Sequence, residues 1–145
     1  VLSLHNDIKK MGPGELLPKI QIQNSKLDTI LSSKILNGQK TVFYFWSQSQ
    51  MNHFRETTNI INKIKLEKPN YRYVGISIQP LNEITLKVIK ILQQDVNNQF
   101  AIIDFENASK KWIITYLNKA IIVNADGKIV NGFGNIYSPD FLNQL

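Results

Sequence analysis

The chain has 145 residues, 43% of them hydrophobic and 10% aromatic, which suits one domain with a single core and excludes wholesale disorder. Its formal charge of +6, from 17 Lys and Arg against 11 Asp and Glu, is scattered along the chain with only Lys9-Lys10 and Lys110-Lys111 adjacent, a solvated basic surface rather than a nucleic-acid interface. The absence of cysteine excludes disulfides, thiolate catalysis and Cys-ligated metal.

The chain opens on Val without a signal-peptide pattern and reads as a mature or excised piece, with no apolar run near the roughly 20 residues of a membrane span. Residues 1–17 form an N-terminal extension with a short helix stopped at Gly12-Pro13-Gly14, and 18–145 form the domain proper. After Pro18, residues 19–23 alternate polar and apolar as a half-buried or edge strand does. Leu27, Ile30, Leu31 and Ile35 recur at helical spacing, which predicts a helix closed by Asn37-Gly38. Residues 41–46, T-V-F-Y-F-W, are a β-branched and aromatic run typical of a central strand buried on both faces.

A helix over 51–66 follows, carrying Phe54, Ile60, Ile61 and Ile64, until Pro69-Asn70 breaks it. Residues 71–78 read as a strand, and 81–92 as an amphipathic helix with 84, 88, 91 and 92 on its buried face. A short strand over 100–104 precedes a short helix over 107–114. Residues 120–130 form a hairpin about Asn124-Ala125-Asp126-Gly127, and Ser138-Pro139 has the chemistry to start a last helix. Alternation of strands and helices implies a parallel core, to which the late hairpin adds antiparallel strands.

Several stretches, in this order, resemble the extracytoplasmic thiol–disulfide oxidoreductase branch of the thioredoxin-like superfamily. Pro18 with Lys19-Ile20-Gln21-Ile22 resembles that branch's P-x-F-x-L entry strand, and Phe45-Trp46-Ser47 its F-W-A. Tyr73 to Ile78 resembles its V-V-G-V strand, and Trp112 to Val130 its closing Y-x-V…P-T-T-F-L-I-D-x-D-G-K-I-V. The resemblance, from about Pro18 to the end, implies a three-layer α/β/α sandwich with a mixed central sheet, and an extracytoplasmic location. It also puts Gln50 and His53 where the family has its two cysteines, and Asn118 where it has its active-site cis-proline.

Those replacements decide the chemistry. Exchange needs a soft, low-pKa thiolate at a helix N-terminus; an amide cannot ionise to one, and an imidazole cannot form a stable mixed disulfide. A cis peptide before a non-proline residue costs about 2.5–4 kcal/mol, so a trans bond is expected before Asn118. Engineered removal of cysteine normally leaves Ser or Ala, not Gln and His.

The expectation is a redox-inactive module that binds a protein or peptide partner in the groove between the 50–53 turn and the Asn118 loop, with Trp46, Met51, Asn52 and Lys119 as candidate groove residues. Gln50, Met51 and Asn52 equally suit ordinary N-terminal capping, and Trp46 ordinary packing. His53, in the first turn of a helix whose dipole favours a neutral imidazole, is the candidate for a non-thiol activity, although no partner for acid–base work is legible nearby. A purely structural domain of a larger protein is the third reading. No cofactor or metal is expected: the only other histidine is His5, and Glu56 beside His53 leaves too few ligands.

Overall fold

The computed structural model describes residues 8–145, so His5 and the start of the extension lie outside the described residues. Seven strands form one sheet: β1 (Gln21–Gln23), β2 (Thr29–Leu31), β3 (Thr41–Trp46), β4 (Arg72–Ser77), β5 (Gln99–Ile102), β6 (Lys119–Val123) and β7 (Ile129–Asn135), in spatial order β2-β1-β5-β4-β3-β6-β7. The central trio β3, β4 and β5 is parallel. The outer strands β1, β2, β6 and β7 run antiparallel to their neighbours. The sheet is mixed, as the alternation followed by a hairpin predicts.

Helix α1 (Ser33–Leu36) is a single turn, followed by α2 (Met51–Glu67), α3 (Glu83–Ile91) and α4 (Phe105–Trp112). Alternate residues of β3 point to opposite faces. Phe43 and Phe45 join Val74, Ile76, Trp112 and Ile35 on one side, together with Met11 and Leu17 from the chain before β1. Val42, Tyr44 and Trp46 join Phe54, Ile61, Leu81, Ile89 and Phe141 on the other. The sheet is thus the middle of three layers, with α2 and α3 over one face and α1 and α4 over the other.

Residues 27–35 depart from the helical reading. Residues 29–31 are strand β2, paired with β1 in register Gln21↔Leu31, and only 33–36 are helical. The Asn24 Oδ1 accepts from the backbone N–H groups of Lys26 and Asp28, and Leu27 takes a left-handed φ of 67°, so a tight side-chain-built turn reverses the chain before a helix can start.

Helix α3 forms where expected, but its buried face is not 84, 88, 91 and 92. Ile89 is fully buried and Leu81 and Thr85 nearly so, whereas Ile84 and Ile91 are 73% and 76% exposed. The capping box, in which Asn82 Oδ1 accepts from Thr85 N–H and Thr85 Oγ1 accepts from Asn82 N–H, sets where the helix begins and hence which stripe meets the sheet.

The last segment is a 3-10 turn, Phe141–Gln144, rather than a helix begun at Ser138. Burial of Phe141 against the face of β3 and α2 holds it there. The hairpin turn is as expected: Asn124 Oδ1 accepts from the N–H groups of Asp126 and Lys128, and Gly127 supplies the positive φ of 81°. Trp112 lies in the core and donates its Nε1–H to Pro18 O at 2.7 Å.

Candidate functional site

Parallel pairing of β3 with β4 brings Trp46 level with Ser77, and both strands end there. The chain leaves β3 through Ser47, Gln48 and Ser49, and leaves β4 through Ile78 and Gln79. Gln48 therefore faces Gln79, each two residues past the last paired position. Gln48 N–H donates to Gln79 Oε1 at 2.8 Å, while Gln48 Nε2 donates to Pro80 O at 2.7 Å and to Gln79 O at 3.1 Å. Gln79 Nε2 donates to Ser47 Oγ at 2.8 Å, Ser47 and Ser49 share a hydroxyl contact of 2.8 Å, and Ser77 Oγ donates to Gln79 O at 2.7 Å. A neutral amide and hydroxyl lattice thus pins the turn that precedes α2.

Helix α2 begins at Met51 with Gln50 as its N-cap, and the Gln50 side chain makes no capping bond. The capping reading of Gln50 does not hold, and the first-turn N–H groups of α2 have no side-chain cap. Gln50 and Asn52 are exposed, and Met51 is half-buried.

His53 points from this first turn toward the loop before β6, and its Nε2–H donates to Asn118 Oδ1 at 2.8 Å. The two positions that the resemblance assigns to the second cysteine and to the cis-proline are therefore joined directly, 65 residues apart in sequence. With Asn118 Oδ1 as acceptor the proton sits on Nε2, and in the neutral ring Nδ1 is then the lone-pair nitrogen. Nδ1 is buried with no hydrogen-bond partner. The ring packs tilted on Tyr137 at 5.6 Å between centroids, and the Tyr137 hydroxyl meets Thr57 Oγ1 at 2.8 Å. Partners for His53 do exist, supplied by β6's approach and the chain after β7, which local sequence could not show. The peptide bond before Asn118 is trans.

Two candidate groove residues are corrected. Trp46 is fully buried, stacked on Phe54 at 3.8 Å, and its Nε1–H donates to Gln99 Oε1 at 3.1 Å. It is core and offers no wall to a ligand. Lys119 is 1% exposed, with Nζ donating to Ile113 O at 2.8 Å and lying 4.6 Å from the Phe133 ring centroid. Burial pulls its ammonium down to about 8. It clasps the left-handed Ile113 (φ 53°) at the end of α4 and so shapes the loop that carries Asn118.

Sequence reasoning missed Gln48, Gln79, Ser47, Ser77 and Tyr137. For the two glutamines a signal existed, their equal offset past two adjacent parallel strands. Tyr137 carried none. Among the described residues no three His, Asp or Glu side chains gather as a metal site would need, and no helix is long and apolar enough to cross a membrane.

No protein-family model matches the chain, and no curated protein matches it in sequence. Solved structures do match it in shape. The thioredoxin domain of a thiol-disulfide oxidoreductase from Bacteroides vulgatus is similar with a TM-score of 0.66 and 19% identity, over 91% of this chain and 94% of that one. A thiol:disulfide interchange protein from Bacteroides sp. is similar with a TM-score of 0.65 and 18% identity, over 83% of this chain and 80% of that one. Taken with the layer order and the position of the pinned turn, these likenesses establish that this cysteine-free chain has the thioredoxin-like fold.

Proposed function

We propose that the protein is a redox-inactive thioredoxin-fold module that binds an extended segment of a partner protein or peptide beside the former active-site turn. The observation that carries the reading is the His53–Asn118 hydrogen bond in a chain without cysteine. Two positions that would serve sulfur chemistry instead brace each other, which leaves a shaped and rigid surface with no nucleophilic sulfur. Around it lie exposed Gln50 and Asn52, half-buried Met51 and the uncapped N–H groups of α2, donors suited to a peptide carbonyl. The resemblance to extracytoplasmic oxidoreductases supports a location outside the cytoplasm, and flanking domains or an anchor belong to the same reading.

The test is selection of binding peptides from a display library on the wild-type protein, followed by affinity measurement on Asn52→Ala, His53→Ala and Asn118→Ala. Weakening of about tenfold in these variants is expected. Peptides that bind all three as well as wild type would place recognition elsewhere. Insulin reduction is blank throughout, and real turnover there defeats the redox-inactive half of the proposal.

A second reading, non-thiol catalysis by His53, is favoured by the Asn118 bond that orients the ring. Against it stand the buried, unpartnered Nδ1 and the engagement of Nε2 with Asn118, which leave neither ring nitrogen free for a substrate as the ring stands. It predicts a turnover abolished in His53→Ala. The remaining alternative, a domain that only orders its neighbours, predicts that none of the three substitutions alters any binding.

A further inference from the structure

The opposite end of the sheet carries a second concavity that the partner-binding reading does not use. Where β3 and β4 begin, Gln39, Lys65, Pro69, Tyr71, Arg72, Tyr73 and Asn98 line an open cleft of about 480 Å³. Two of these seven residues, Lys65 and Arg72, are cationic and none is a carboxylate.

Arg72 is the centre of the cleft. Its Nε–H donates to Asn98 Oδ1 at 2.8 Å, one terminal nitrogen donates to Ile35 O at 2.5 Å, and the other to Asn97 O at 3.1 Å. Three neutral oxygens hold the guanidinium, which leaves two of its five N–H donors unused by the described residues. No carboxylate pairs with it: the one ion pair among the described residues is Lys110–Glu106, elsewhere on the surface. Asp95, whose field reaches Arg72, spends its Oδ1 on Asn97 N–H at 2.9 Å. Burial lowers the affinity of the guanidinium for its proton despite that field. A half-buried cation whose nearest carboxylate, Asp95, acts only through its field and makes no ion pair gains from an anion that joins it directly.

The surroundings add charge of the same sign. Lys65 Nζ stands 6.0 Å from the Tyr73 ring centroid, and Lys40 Nζ stands 5.1 Å from that of Tyr71, at the rim. Asn98 gives its Oδ1 to Arg72, so its NH2 is the end left to donate. Planar guanidinium, mobile ammonium and amide N–H groups together match the oxygens of a tetrahedral dianion.

We propose that this cleft binds a phosphoryl group, free or carried on a small ester, with Arg72 as the fixed donor and Lys65 as the closing one. The anion is the contacting partner that Arg72 lacks, and the ring of Tyr71 offers a face to whatever the phosphoryl group carries.

The test is amide-resolved NMR titration with inorganic phosphate and, separately, AMP, at matched ionic strength with chloride as control. Saturable shifts confined to the backbone around 65, 71–73 and 98 are expected, with millimolar affinity for phosphate. Tighter binding of AMP identifies an ester as the ligand, and equal binding identifies free phosphate. Lys65→Gln weakens binding about tenfold. Asn98→Asp supplies an internal carboxylate to Arg72, so it abolishes phosphate binding and raises the denaturation midpoint. Shifts no larger than with chloride, or both variants responding as wild type does, overturn the proposal. Since the reporting residues lie at the far end of the sheet from His53, failure here leaves the peptide-binding reading untouched.

Discussion

Three strands cross in one row at Tyr44, Gly75 and Gln99, because Tyr44 pairs with Gly75 and Gly75 pairs with Gln99. The missing side chain in the middle is what lets the outer two meet: Gln99 Nε2 donates to the Tyr44 hydroxyl at 2.8 Å, and Gln99 Oε1 accepts from Trp46. A Cβ at position 75 stands 2.8 Å from Tyr44 Cζ and collides with the Gln99 amide. Gly75→Ala is therefore expected to lower stability by about 1–3 kcal/mol through overpacking and the disturbed Gln99 bonds, as read by urea unfolding. An unchanged midpoint would mean that Tyr44 and Gln99 move aside freely. Nothing in the stretch R-Y-V-G-I-S marks this glycine as a packing requirement, since the partners it admits come from two other strands.

Helices and turns give sharper contrasts. On α3 the sequence offers Ile84, Val88, Ile89 and Ile91 as equally apolar, yet only Ile89 is sealed in the core. Ile89→Ala should cost about 2–5 kcal/mol, whereas Ile84→Lys and Ile91→Lys should stay within about 0.5 kcal/mol of wild type. A large loss at Ile84 in thermal unfolding would reverse the assigned face. In the turn after β3, Gln48→Ala strips the amide that donates to Gln79 O and Pro80 O. The expected cost is about 1–2 kcal/mol, with faster hydrogen exchange confined to the 47–50 and 78–81 backbones. Uniform acceleration across α2 would show instead that the lattice supports the whole helix.

For the molecule as a whole, buried titratable groups set an alkaline stability profile. Lys119 binds its proton more weakly in the fold, at about 8, than its ordinary 10.5. The unfolded chain thus holds more protons between those values, and stability rises with pH across that window. Tyr44 and Tyr73 are shifted the other way, from 10.0 to about 12, chiefly by burial and for Tyr73 also by neighbouring Tyr71. The stability they confer is fully present below about pH 10 and is lost as pH climbs through about 12. Urea midpoints should rise from pH 8, crest near pH 10 and fall beyond it. Lys119→Met should flatten the rise, and Tyr44→Phe should soften the fall. A monotonic decline from pH 8 in the wild type contradicts the burial of Lys119.

From residue order alone came the central strand 41–46, the long helix after it, the Asn-Ala-Asp-Gly hairpin turn and the loss of sulfur chemistry, because each depends on local periodicity, turn chemistry or the plain absence of an atom type. Tertiary structure alone decided that 29–31 is a strand, that Lys119 is buried and that His53 meets Asn118. The reason is range: a residue's exposure and its hydrogen-bond partner are set by whichever distant segment packs against it, and local pattern holds no record of that segment.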